Sequence, residues 1–203
     1  MPLSSSLLLR ALLAIAPAMS PLAAAAAPAA APATAATSPM AAPATDCPAR
    51  LARHLSSDLS LPFDAFDQDD QQGWRALEAD GCDSQAADLV AAYAAQHPHP
   101  VLAWHRAQLL ARAGRTPEAI QAARSTLQPP RGDDASGFDW NDYANATIAF
   151  LEGDPIALKA NRDRLAVAAG KMAMNGPNLR SADRLVACFG QPYKVAYDCP
   201  AVP

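Results

Sequence analysis

The chain of 203 residues carries 16 Lys and Arg against 20 Asp and Glu, a net charge of −4, and its basic residues form no run. That excludes the electrostatic footprint of a nucleic-acid surface and leaves little attraction to an anionic membrane. Composition shifts along the chain divide it into three parts: 1–27, 28–45 and 46–203.

Residues 1–27 read as a signal peptide. Arg10 is the single charged side chain among the first 45 residues, and an apolar run over 11–19 follows it. A basic start, a short apolar core and a small-residue exit through alanines 23–27 match a secretory leader, cut between about residues 22 and 31. A membrane-spanning helix needs about 20 apolar residues, and Pro17 and Pro21 interrupt this stretch. Residues 28–45 are mostly Ala, Pro, Thr and Ser, too poor in large apolar groups to offset the entropy of ordering, and read as a disordered linker. Residues 46–203 are one domain with room for a single modest core. The Ala, Arg and Pro content suits a bacterial source, which makes the destination the periplasm or the medium.

Cys47, Cys82, Cys188 and Cys199 all lie in this third part. An even cysteine count in an exported chain predicts two disulfides. Of the three possible pairings, the local spacings favour Cys47–Cys82 and Cys188–Cys199, each adding about 3 kcal/mol by chain entropy. No C-x-x-C spacing supports a zinc site.

Helix signals follow in chain order. Asp83 is placed as the cap of a helix over 84–96, with Ala86, Leu89, Val90 and Tyr93 at three- and four-residue spacing, ended by His97-Pro98-His99-Pro100. A second helix spans 101–113 and stops at Gly114. Thr116 as cap, Pro117 and the acidic Glu118 start a third, to Leu127. Residues 128–138 form a loop. Asp139 opens a helix to Leu151, Gly153 stops it, and Asp154-Pro155 starts its partner, to Ala168. A shorter helix covers 179–189, and 192–203 form a tail. No run of alternating β-branched residues predicts a strand, so the fold class is all-α.

The turns repeat. Gly81 and Gly114 stand 33 residues apart, each followed five residues later by alanine, Ala86 and Ala119; Gly153 lies 39 residues beyond Gly114. The stretch Gly114-Arg115-Thr116-Pro117-Glu118-Ala119-Ile120, ending at Leu127, resembles the turn and second helix of a tetratricopeptide repeat. The resemblance covers about residues 68–168 as two good units and one looser one, and implies two to three stacked helical hairpins followed by a short C-terminal helix and tail. It also implies that the first helices line a groove. Aligned on the glycines, groove positions would be Gln71, Arg75 and Glu78 in the first unit, and Trp104, Gln108 and Arg112 in the second. The third would supply Tyr143 and Thr147, with Trp140 at the rim. Arg75, Trp104, Gln108, Arg112 and Tyr143 are the candidate binding residues, suited to a peptide with an acidic group. The alternative for Trp104 and Trp140 is a place in the core.

Catalytic patterns do not emerge. There is no Gly-x-Ser-x-Gly, no free thiol once four cysteines pair, and no phosphate-binding glycine loop. His97, His99 and His105 lack carboxylates or thiolates to complete a metal set. Asp64, Asp67, Asp69 and Asp70 lack the central glycine and closing glutamate of a calcium loop, and read as a solvated approach to a helix. The expectation is an exported, non-enzymatic module that needs no cofactor or metal and binds an unidentified peptide or protein. One rival is a small inhibitor or immunity-type protein that uses loop 128–138 against a secreted enzyme. The other is a metal-binding protein or hydrolase.

Overall fold

The computed structural model describes residues 46–129 and 137–200, and among them every regular element is helical. The expected leader and linker, and residues 130–136 of the 128–138 loop, lie outside the described residues. Three short helices come first: α1 (Cys47–Ser57), α2 (Phe63–Gln68) and α3 (Gly73–Ala79). Then follow α4 (Asp83–Gln96), α5 (Pro100–Arg112) and α6 (Thr116–Arg124). Beyond the long loop lie α7 (Trp140–Glu152), α8 (Pro155–Lys171), α9 (Gly176–Ala187) and α10 (Tyr193–Tyr197). No described helix is long and apolar enough to cross a membrane.

Three of the turns close in the same way. Gly81, Gly114 and Gly153 have φ of 78°, 74° and 73°, a left-handed conformation that costs glycine nothing. The next backbone N–H in each case reaches five residues back: Cys82 to Leu77, Arg115 to Leu110 and Asp154 to Ala149, at 2.9, 2.8 and 2.9 Å. This is the Schellman closure, which satisfies the last carbonyls of a helix and reverses the chain. The products are three hairpins, α3–α4, α5–α6 and α7–α8. The second helix of each packs on the first helix of the next element: α4 on α5, α6 on α7, α8 on α9.

The apolar faces merge into one core that includes Leu77, Leu89, Leu102, Leu110, Leu158 and Leu185. Each such side chain, fully removed from water, contributes about 1.5–3 kcal/mol. Ala107 of α5 and Ala119 of α6 are both buried in the α5–α6 hairpin. The sulfurs of Cys47 and Cys82 are bonded, with Cα atoms 5.5 Å apart, and tie the start of α1 to the residue before α4. Cys188 and Cys199 are bonded across 6.3 Å and bracket α10.

Several boundaries differ from expectation. Asp139 and Asp154 do cap α7 and α8, accepting from the N–H of Asp142, and of Ile156 and Ala157. Asp83 does not cap α4: it is that helix's first residue, and its carboxylate is drawn to Arg112 and Lys194. Thr116 is likewise the first residue of α6, which stops at Arg124, short of Leu127. α8 runs on to Lys171, and α9 starts at Gly176, with Pro177 in its first turn where a missing N–H costs nothing. The expected tail contains α10.

Candidate functional site

α5 presents one face to the core through Leu102, Leu109 and Leu110, so His105, Gln108 and Arg112, at three- and four-residue spacing, share another. α3 brings Trp74, Arg75 and Glu78 beside them, and α10 adds Tyr193 and Tyr197. Together these side chains line a cavity of about 280 Å³.

Arg112 is the electrostatic centre of one end. Its Nε lies 3.1 Å from both Asp83 Oδ1 and Glu78 Oε1, and its Nη1 is 3.6 Å from Asp198 Oδ2. Burial works against its charge, but the hydrogen bond to Asp83 and the fields of Glu78, Asp83 and Asp198 outweigh it and hold the guanidinium above its ordinary value. Asp83 also accepts from Lys194 Nζ of α10 at 2.6 Å. This buried carboxylate thus joins the start of α4, the end of α5 and α10.

Aromatic groups form the wall beside it. The Gln108 amide donates to the Tyr197 hydroxyl at 3.1 Å and reaches the Tyr143 hydroxyl at 3.4 Å. Burial, reinforced by Tyr197, pushes the Tyr193 phenol far up. Burial with the neighbouring phenols Tyr193 and Tyr197 does the same to Tyr143. Both stay neutral.

At the other end, Asp67 Oδ1 accepts from Trp74 Nε1 at 3.0 Å and pairs with His105 Nδ1 at 2.7 Å. Burial would raise the Asp67 carboxyl, but the hydrogen bonds from His105 and Trp74 prevail and hold it below the ordinary carboxylate range. At 1% exposure Asp67 is not the solvated acid of the sequence reading. Arg75 lies over the Trp74 ring at 4.3 Å and donates Nε–H to the Asp67 carbonyl. Among the described residues no carboxylate pairs with it, whereas Arg112 has three. The cavity therefore offers one guanidinium without a carboxylate partner among the described residues, an oriented imidazole and tyrosine rings. That set suits hydrogen bonding and aromatic packing, and no serine, threonine or cysteine lines it.

Arg75, Gln108 and Arg112 of the candidate set meet in this cavity. Trp104 and Tyr143 lie behind it: both are buried, their ring centroids 5.0 Å apart, and Trp140 completes a triangle of rings, 4.9 Å from Trp104 and 5.8 Å from Tyr143. Trp104 is a core residue at the α5–α7 contact and offers no free face. Gln71 is exposed, and Thr147 is buried with its hydroxyl unpartnered. The sequence raised His105 only as a metal ligand and did not single out Tyr193 and Tyr197, although His105 shares the helical phase of Gln108 and Arg112, and the two tyrosines are one turn apart.

The other histidines go elsewhere: His97 Nε2 lies 2.9 Å from the Leu59 carbonyl oxygen, and His99 stacks on Phe63. Among the described residues no group of three or more His, Cys, Asp or Glu side chains is placed to hold a metal. A second, more apolar cavity of about 700 Å³ lies between α4, α5 and α6, with Val90, Leu102, Ala122 and Arg106 in its wall. No protein-family model matches the chain, and no curated protein or solved structure matches it at a significant level.

Proposed function

We propose that this chain is an exported, non-enzymatic module of tetratricopeptide type that binds a peptide or protein segment against α3 and α5. The observation that carries this reading is that a segment of the chain itself already lies against α5. The side chains of α10 and of Asp198 just after it meet Gln108, Arg112 and Asp83 through tyrosine hydroxyl, carboxylate and ammonium groups. A surface that accommodates one short helix by its side chains has the chemistry to accommodate another. The three equivalent glycine turns, with Ala86 and Ala119 buried after the first two, support the repeat assignment. Two disulfides suit an oxidising destination, the periplasm or the medium.

Selection of a displayed peptide library on the purified protein tests the reading. The best peptide should bind Arg75→Ala at least about tenfold more weakly, a loss of about 1.4 kcal/mol, with the helical circular dichroism unchanged. Arg131→Ala in the long loop should have no effect. The reverse pattern would instead favour an inhibitor acting through residues 128–138.

A further inference from the structure

We infer that the C-terminal segment around α10 is a built-in occupant of the groove, so that a partner must carry matching chemistry and displace it. This rests on the groove reading above and adds the partner's pattern and the way the site is guarded.

The segment reads Tyr193-Lys194-Val195-Ala196-Tyr197-Asp198. Tyr193 and Tyr197, at i and i+4, turn the same way and line the cavity, while Val195 is 53% exposed on the other side. Lys194 meets Asp83, Tyr197 accepts from Gln108, and Asp198 meets Arg112. The matching partner is a short helical segment with two aromatic rings one turn apart, a basic residue after the first and a carboxylate after the second.

Three features make the occupant displaceable. A helix of five residues has no stability of its own. The outer partners of its two ion pairs reach water, with Lys194 43% and Asp198 64% exposed, so water can take their place while Asp83 and Arg112 stay paired with each other. Among the described residues the buried Tyr193 hydroxyl has no partner in good hydrogen-bonding geometry, so the occupant carries a polar group the site satisfies poorly. What keeps it in place is the burial of Tyr193 and Ala196 together with proximity: the Cys188–Cys199 bond closes a short loop around it and holds its local concentration high. The unpartnered hydroxyl also implies a preference. A partner with phenylalanine at the first aromatic position escapes the desolvation penalty and outcompetes the native segment.

The test uses a fluorescent peptide of residues 190–200 carrying Cys199→Ser, titrated into the full chain and into its Lys194→Glu/Tyr197→Ala variant. The variant should bind the peptide at least about tenfold more tightly than the wild type does. Adding Gln108→Ala to the variant should remove the gain. A peptide that also carries Tyr193→Phe should bind several-fold more tightly still. Equal binding to wild type and variant would overturn the guard and leave the groove reading standing. No binding to a folded variant up to about millimolar peptide would make the segment a structural strut, and the library selection alone would then decide the groove reading. Should the variant fail to fold, hydrogen exchange on the wild type decides. Amides 195–197 should exchange faster with a library-selected peptide bound, and unchanged exchange overturns the displacement.

Discussion

Asp67 Oδ1 and His105 Nδ1 lie 2.7 Å apart, bonding the end of α2 to the middle of α5 across a sequence separation of 38. The same oxygen accepts from Trp74, so one buried carboxylate holds α2, α3 and α5 in register at the cavity. Its folded-state value lies below the ordinary one, so ionised Asp67 contributes stability that is present above the ordinary carboxylate range. That stability is lost as the pH falls through the folded value. Asp58, held down by His54, Ser57 and the Gly73 amide in spite of burial, acts in the same direction. The melting temperature should therefore fall as pH drops below about 4. Asp67→Asn should start about 1–3 kcal/mol less stable at neutral pH and fall less steeply in acid. Superimposable acid limbs for the two proteins would refute this role.

Gly73 and Gly114 both have positive φ, but their surroundings differ. A Cβ on Gly73 would stand 2.0 Å from the Phe66 carbonyl oxygen, whereas one on Gly114 would meet nothing within 4 Å. Gly114→Ala should thus cost only the left-handed conformation, about 1–2 kcal/mol. Gly73→Ala should cost clearly more, since backbone must move, and it disturbs the N–H that donates to Asp58 at 2.9 Å. Urea denaturation of the pair checks the order, and equal losses would contradict it.

Trp104 packs against both Trp140 and Tyr143 in a buried cluster of three rings, so its removal leaves a void. Trp104→Ala should cost about 3–5 kcal/mol, and any loss of peptide binding should follow from loss of fold. Ala119 is fully buried in the α5–α6 hairpin, so Ala119→Leu should overpack it by about 1–3 kcal/mol. Thermal melts decide both, and an unchanged midpoint for either would move that residue to the surface.

The hairpins were legible because their signals are local. A glycine free to adopt positive φ and, at Asp154-Pro155, a capping pair sit within a few residues of the turns they direct. The cavity was half legible: Arg75, Gln108 and Arg112 follow from helical phase counted from the glycines. What escaped depends on distant partners. Asp83 has the composition of a cap, yet its carboxylate is claimed by Arg112, 29 residues on, and Lys194, 111 residues on. Asp67 looked like one of several solvated acids until His105 and Trp74 were placed against it. α10 follows a proline, is five residues long, and is ordered by the cavity its tyrosines enter more than by its own propensity.

The most direct measurement of the central claim is a ¹⁵N-resolved NMR titration of the full chain with a library-selected peptide. Binding in the groove predicts the largest shifts in α3, α5 and α10, at Arg75, His105, Gln108 and Tyr197, with the Trp74 indole N–H among them. Shifts concentrated in residues 128–138, or around Val90, Ala94 and Ala122 on the opposite cavity, would contradict it.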